Sequence, residues 1–201
     1  MNGQSGPAVL INVFEVPPDG DDSFVESWER ARDLLRTQPG YLSTALHQAL
    51  TPQANFRWVN IARWASPAAF GAAMGHLAAS GVSVPYPAHP ALYEVVRADE
   101  PAGDLSTAVT LINPFEVPVG GDEVFLAGWE GARDYLRMQE GYLGTRLHRS
   151  LSADADFRFI NVGWYASPQA FQAAISSPGF QDTARRIPYR AHPGLYRVVR
   201  Q

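Results

Sequence analysis

Apolar and polar residues follow one another along the first hundred residues in a pattern that predicts six elements. Ala8–Val16 is apolar and rich in β-branched residues, which predicts a strand that ends at the Pro-Pro-Asp-Gly turn. A helix is predicted to begin near Ser23, where Glu26 gives the spacing of a capping box, and to end at Gly40. Its apolar stripe recurs at helical spacing and consists of Phe24, Trp28, Ala31 and Leu35. We interpret Trp28 and its later counterpart Trp129 as core residues.

The remaining pattern predicts three strands and a second helix. The predicted strands are Tyr41–Leu50, Phe56–Trp64 and Leu92–Arg97. The first of them alternates, with Leu42, Thr44 and Leu46 on one face and Tyr41, Ala45 and His47 on the other. Ser66 followed by Pro67 predicts the capped start of a helix that runs to about Ala79.

The second half of the chain repeats this pattern. FRWVNIARWASPAAF at residues 56–70 returns as FRFINVGWYASPQAF at residues 157–171, and roughly half of the aligned positions are identical. The duplication predicts two domains of residues 8–98 and 108–201, joined by a polar linker of residues 99–107.

Each copy therefore has the order β-α-β-β-α-β, which is typical of the ferredoxin-like α+β sandwich with both helices on one face of an antiparallel sheet. The third strand carries apolar residues on both faces, so the face without helices also needs a cover. We expect the two sheets to pack face to face as an intramolecular dimeric α+β barrel. Pro114 interrupts the first strand of the second copy and requires a bulge or an edge position there.

Composition narrows the functional classes. A net charge of −4 with scattered arginines is unlike a nucleic-acid-binding or membrane-binding surface, and the absence of cysteine excludes disulfides and thiolate metal sites. No apolar run is long enough for a membrane span, and the first eight residues lack the features of a signal peptide. We therefore expect a cytoplasmic protein. The two copies would form an internal pseudo-dimer that either stands alone or dimerises again.

An asparagine lies in the middle of the apolar row of the third strand in both copies. Phe56, Trp58, Asn60, Ala62 and Trp64 share one face, and Phe157, Phe159, Asn161, Gly163 and Tyr165 are their counterparts. One interpretation is an amide bonded to neighbouring backbone; the other is a polar group that orients a planar ligand in an aromatic pocket.

The Gly-Tyr-Leu turn at Gly40, followed by Asn60-x-x-x-Trp64 and Ser66-Pro67, resembles the antibiotic biosynthesis monooxygenase family. The resemblance covers nearly all of both copies and implies a family dimer fused into one chain. Its best-described members oxidise phenolic polyketides such as anthrones with O₂, without metal, flavin or haem, in secondary metabolism. It implies catalytic roles for Asn60 and Asn161, which would bind the substrate oxyanion, and for Trp64. Tyr165, which replaces this tryptophan in the second copy, is a further catalytic candidate.

Further residues are candidates for contact with an aromatic substrate. They are Trp58, Phe70, Phe159, Phe171, Arg185, His47 and His148. The Trp64-to-Tyr165 exchange, and the arginines that only the second copy carries near residue 185, lead us to expect two pockets that are not equivalent. His47, His148, His89 and His192 are candidate general bases, with bonding in a turn as the alternative for the last two.

Two alternatives to a cofactor-independent oxygenase remain open. His76 on the second helix lies near the position of the axial ligand in haem-degrading proteins of this fold, so a haem-binding or haem-degrading protein is one. The other is a non-redox cyclase, isomerase or binding protein that uses the same pocket.

Overall fold

A computed structural model describes residues 6–103 and 105–201 of the chain. Residues 1–5, part of the stretch searched for a signal peptide, lie outside this range. The chain forms two compact units: the first contains the residues up to Glu94 together with Val198–Gln201, and the second contains Val95–Arg197.

The first unit follows the predicted order of elements. They are β1 Ala8–Phe14, α1 Asp21–Leu35, β2 Tyr41–Ala49, β3 Trp58–Trp64, α2 Pro67–Ser80 and β4 Ala88–Asp99, the last of which runs on into the second unit. Strand β1 pairs antiparallel with β3 and β4, and β3 pairs antiparallel with β2. The resulting order β2-β3-β1-β4 is that of the ferredoxin-like sandwich, which confirms the predicted fold of this copy.

The second unit repeats this arrangement with two changes. Its elements are β5 Val109–Glu116, α3 Asp122–Leu136, β6 Tyr142–Ser150, β7 Phe159–Tyr165, α4 Pro168–Ser176, α5 Pro178–Ala184, β8 Arg190–Ala191 and β9 Gly194–Arg200. The second helix is divided at Ser177, which caps α5 through its side chain. The last strand is divided into β8 and β9 opposite Pro114, where pairing with β5 is interrupted as a missing N–H requires.

Helix α1 begins two residues before the predicted start. Gly20 is its N-cap and makes no side-chain cap, and the Ser23 hydroxyl donates to the Gly20 carbonyl, so the expected capping box is wrong. Asp21 in the first turn instead accepts hydrogen bonds from Arg57 and from the Trp58 indole. Helix α2 begins as predicted, because the Ser66 hydroxyl accepts from the Ala69 N–H at 3.1 Å.

A bulge changes the faces of β2. The register with β3 shifts between Tyr41 and Ser43, so Leu42 is exposed and Tyr41 lies on the same face as Thr44. The predicted alternation, which placed Leu42 with Thr44, is therefore wrong at this end of the strand. The same shift occurs between Tyr142 and Gly144 in β6.

Each unit has an aromatic core beside its first helix. In the first unit Phe24 packs against Phe14 and Trp58, and in the second Phe125 packs against Phe115 and stacks on Phe159 at 4.4 Å. Trp58 and Phe159, which we expected to contact substrate, belong to these cores. Trp58 is also held in place because its indole N–H donates to Asp21 at 2.8 Å.

Candidate functional site

Each unit has a cavity that residues of its sheet and its helices line. The first cavity has a volume of about 370 Å³ and the second about 280 Å³. Matched residues of the two copies line both. In the first they include Asn12, Trp28, Arg32, Tyr41, Thr44, Asn60, Trp64 and Phe70, and in the second Asn113, Trp129, Arg133, Tyr142, Thr145, Asn161, Tyr165 and Phe171. The described lining residues of each cavity come from one unit only.

The asparagine of the third strand lines the cavity in both units. The Thr44 hydroxyl donates to Asn60 Oδ1 at 2.7 Å, and Thr145 donates to Asn161 Oδ1 at the same distance. The Trp129 indole, which can only donate, also contacts Asn161 Oδ1 at 3.3 Å and so fixes which end of the amide is oxygen. With Oδ1 engaged by side chains, the NH₂ group is the end left for a ligand. The partners of this amide oxygen are side chains, and not the backbone groups that the first interpretation requires.

A second asparagine faces the same cavity from the first strand. Asn12 is directly opposite Asn60 in the β1–β3 register, and Asn113 is opposite Asn161 in β5–β7. The Oδ1 atoms of Asn12 and Asn113 are buried without a hydrogen-bond partner in the described structure. Each cavity therefore has two neighbouring amides, and the acceptor end of the amide on the first strand is unsatisfied.

Aromatic rings form the wall beside the amides. Trp64 packs edge-on against Phe70 at 5.6 Å and against Tyr41 at 5.5 Å. In the second unit, Tyr165 makes the same contacts with Phe171 at 4.9 Å and with Tyr142 at 5.8 Å. Burial raises the pKa of the Tyr165 phenol well above its usual range. The predicted residues Trp64, Tyr165, Phe70 and Phe171 are thus brought to the cavity with the asparagines.

A largely buried arginine lines each cavity. Arg32 lies over the Trp28 ring at 5.2 Å and Arg133 lies over Trp129 at 5.6 Å, and their side chains are 17% and 19% exposed. Neither arginine was among the candidates that the sequence suggested. Arg185, the predicted arginine, does not line the second cavity; it is 74% exposed and pairs with Asp182 on the surface of α5.

His47 and His148 lie outside the cavities. His47 is paired with Val59 in the β2–β3 register, next to the Leu46–Asn60 pair, and so lies on the opposite face of the sheet from Asn60. Burial lowers the pKa of both imidazoles to about 4, and each ring shares a hydrogen bond with a backbone carbonyl. Neither is placed to take a proton from a ligand in the cavity, contrary to our expectation.

The other histidines also lie away from the described cavity walls. His89 contacts Glu15 at 2.9 Å and His192 contacts Glu116 at 2.7 Å. His76 on α2 contacts Gln38 at 2.5 Å and borders a separate surface groove. A haem ligand at His76 would therefore not face the first cavity.

Three further observations concern metal sites, membrane spans and known relatives. Within residues 6–103 and 105–201, no group of three or more His, Asp or Glu side chains is arranged to hold a metal ion. None of the described helices combines the length and the apolarity needed to cross a bilayer. No curated protein matches the chain closely enough to count as a relative.

A family model for the antibiotic biosynthesis monooxygenases matches residues 7–79 and 108–186, which is well over half of the chain. The chain belongs to the antibiotic biosynthesis monooxygenase family. The two matched segments fall one in each unit, which confirms a tandem arrangement of two family domains.

Two solved structures show the same fold over nearly the whole chain, and a third is similar in sequence to half of it. An anthrone oxidase-like protein is 16% identical over 98% of this chain and 92% of its own, with a TM-score of 0.77. A chlorite dismutase variant from Candidatus Nitrospira defluvii is 12% identical over 96% of this chain and 92% of its own, with a TM-score of 0.59. SnoaB from Streptomyces nogalater, a cofactor-independent oxygenase, is 26% identical over 48% of this chain and 96% of its own, with a TM-score of 0.42. Membership of the monooxygenase family supports an oxygenase type of enzyme. The likeness to both an anthrone oxidase-like protein and a chlorite dismutase shows that the fold hosts several reactions.

Several lining residues of this family member were missed in the sequence. Asn12, Arg32 and Thr44 and their counterparts are polar, yet they face the cavity with the apolar rows. The signal was available, because each recurs at the same shift of 101 positions as Asn60 and Asn161. This recurrence alone does not identify the cavity walls, because His47 and His148 recur at the same shift and lie outside the cavities.

Proposed function

We propose that this chain is a cofactor-independent monooxygenase that oxidises an anthrone-like or phenolic aromatic substrate with O₂ in secondary metabolism. The observation that carries the proposal is the orientation of the Asn161 amide. Trp129 and Thr145 both donate to its Oδ1, which fixes the amide of a residue that lines the cavity and leaves its NH₂ group as the hydrogen-bond donor for a ligand. A donor held in this way stabilises negative charge on a substrate oxygen without reorganising during the reaction.

The cavity suits a substrate that becomes an anion. Loss of a proton from the CH₂ group of an anthrone leaves a carbanion whose charge is delocalised onto the carbonyl oxygen. The amide NH₂ of Asn60 or Asn161 would donate to that oxygen, and the Arg32 or Arg133 guanidinium would favour the anion through its charge. Such an anion can itself give an electron to O₂, so the protein has to supply ionisation, orientation and shelter from water.

The overall reaction balances without a further redox partner. The CH₂ group loses its two hydrogens and gains one oxygen atom to become a carbonyl. The second oxygen atom leaves with the two hydrogens as water. The aromatic walls around Trp64 and Tyr165 would hold the flat ring system and keep bulk water from the intermediates.

Oxygen uptake with dithranol, an anthrone, tests this proposal. We expect uptake that persists with a chelator present and in protein without absorbance from a bound chromophore. Asn161→Ala should lower kcat about 10²–10³-fold for turnover in the second cavity, since one oxyanion donor is lost. Asn161→Asp, which has the same shape but accepts rather than donates, should lower it further.

Asn60→Ala provides the same test for the first cavity, and the double variant should lose the enzymatic rate. Arg185→Ala is the control, because that side chain is exposed and lies away from the lining residues. Full activity in the folded double alanine variant, or loss of activity with chelator, would refute the proposal.

A further inference from the structure

One lining residue of the second cavity donates a hydrogen bond to a carboxylate. In the second unit the Tyr142 hydroxyl donates to Asp99 Oδ2 at 2.8 Å, and Tyr142 lines the cavity. We propose that Tyr142 and Asp99 form the proton acceptor of the second cavity. Tyr142 takes the proton from the bound substrate while its own phenolic proton passes to Asp99. This inference rests on the proposed oxygenase function and identifies the base that it requires.

The surroundings of the pair fit this role. Arg133, the cation of the second cavity, has its Nη1 3.9 Å from Asp99 Oδ1, and Tyr165 packs edge-on against the Tyr142 ring. Before the transfer Asp99 balances part of the charge of Arg133. After the transfer Asp99 is neutral and the substrate is an anion, so the Arg133 charge is available to the substrate.

The proton balance is closed within these groups. A C–H bond of the substrate breaks and its electron pair stays on the substrate as the carbanion. The proton binds the Tyr142 oxygen, and the O–H bond that Tyr142 held breaks as a new one forms on Asp99. Tyr142 is unchanged at the end, and Asp99 carries the proton until it is released to water, to which its side chain is 27% exposed.

The hydrogen bond between Tyr142 and Asp99 forms because the residues at the end of β4 and just after it are held against β6. The Ala102 N–H donates to the Leu143 carbonyl at 2.9 Å, and Glu100 pairs with Arg146 at 2.5 Å. Gly144 permits the close approach, since a Cβ at that position would lie 2.7 Å from the Asp99 carbonyl oxygen. Its φ of 147° is also a conformation that favours glycine.

The first unit has no equivalent arrangement within its described residues. Tyr41 occupies the position of Tyr142, but no carboxylate hydrogen bond to its hydroxyl is recorded, and Ser43 replaces Gly144. Arg32 pairs with Asp33, on the exposed side of α1. The two cavities therefore share the amides and the arginine, while the proton acceptor belongs to the second alone.

Exchange of the CH₂ hydrogens of dithranol in D₂O, followed by proton NMR without oxygen, isolates the proton-transfer step. In an Asn60→Ala background, which disables the first cavity, we expect the protein to accelerate exchange. Asp99→Asn keeps an oxygen that accepts from Tyr142 but removes the base, so exchange should fall at least tenfold and as much as about 10⁴-fold. Tyr142→Phe should have a similar effect, and Asp99→Glu should restore part of the rate.

The pH dependence separates a base from a structural role. The exchange rate of the protein with Asp99 should depend less steeply on pH than the Asp99→Asn rate. The Asp99→Asn rate should fall about tenfold per pH unit, because hydroxide is then the base that remains. Asp134→Asn is the matched control: Asp134 also pairs with Arg133, at 2.8 Å, but is exposed and does not contact Tyr142. It should leave the exchange rate unchanged.

The outcomes distinguish this inference from the proposed function. Oxygen uptake together with an exchange rate and pH profile that Asp99→Asn leaves unaltered would overturn the role of the pair and leave the oxygenase intact. Exchange that depends on Asp99 without oxygen uptake would support the pair and refute the oxygenase. Absence of any protein-catalysed exchange would overturn the inference.

Discussion

The two buried histidines should make the fold sensitive to acid well above the pH at which carboxylates titrate. His47 and His148 are 5% and 4% exposed, and burial lowers their pKa from 6.5 to about 4. Above pH 6.5 both are neutral in the folded and the unfolded chain and contribute no pH dependence. Between pH 6.5 and 4 the unfolded chain binds protons that the folded chain does not, so stability falls with falling pH.

The magnitude follows from the size of the shift. Each histidine costs about 1.4 kcal/mol for every pH unit below 6.5, which reaches about 3 kcal/mol by pH 4. Two such residues would remove about 6 kcal/mol, a large share of the 5–15 kcal/mol typical of a whole domain. The charge of Arg146 adds to the effect at His148.

Urea unfolding followed by tryptophan fluorescence between pH 8 and 4.5 measures this loss. His47→Asn and His148→Asn remove the titrating ring but keep an N–H that can donate to the carbonyls of Val59 and Ile160. Each should flatten the pH dependence by about half, and the double variant should be nearly flat down to pH 5. His76→Asn, at an exposed position, is the control. An equally steep fall in the double variant would show that other groups cause the acid sensitivity and that these rings are not held neutral.

Three further predictions concern single contacts. Gly144→Ala should displace the segment that carries Asp99 and reproduce the Asp99→Asn loss of dithranol exchange, measured alongside circular dichroism that shows an intact fold. Asp21→Asn should lower the free energy of unfolding by about 2 kcal/mol, because a charged, part-buried hydrogen-bond acceptor at the start of α1 is lost, and urea unfolding measures it. Thr44→Val should weaken dithranol binding in the first cavity by a few-fold more than Thr145→Val does in the second, where the indole of Trp129 still holds the amide; isothermal titration without oxygen compares them.

Most of what could be predicted came from the sequence repeat and from the alternation of residues along β3. They fixed the order of elements in both units and placed Asn60 and Trp64 on one face, because side-chain direction in a regular strand depends on local geometry alone. The same reasoning placed Trp58 in the pocket, where it is not found. Its position depends on a hydrogen bond to Asp21, a partner 37 residues away, which no local pattern reveals.

Irregular features could not be predicted from local pattern either, because they too depend on partners that are distant in sequence. The bulge that turns Tyr41 to the cavity is a mismatch between two strands and cannot be read from one of them. The start of α1 is set by Arg57 engaging Asp21, not by the Ser23 capping spacing. Arg185 was favoured because it was unusual, although a residue present in only one copy tells least about a wall that both copies share.

The duplication gives a physical meaning to the distinction between residues that both copies share and residues that only one copy carries. Because the described walls of each cavity come from one unit, a substitution in one cavity need not disturb the other. Residues matched between the copies, such as Asn60 and Asn161, can then maintain a common mode of binding. Unmatched residues, such as Gly144 with the Asp99 segment it admits, can alter the chemistry of one cavity alone. A chain with two separate cavities can therefore assign binding to both and proton transfer to one, a division that two identical cavities could not make.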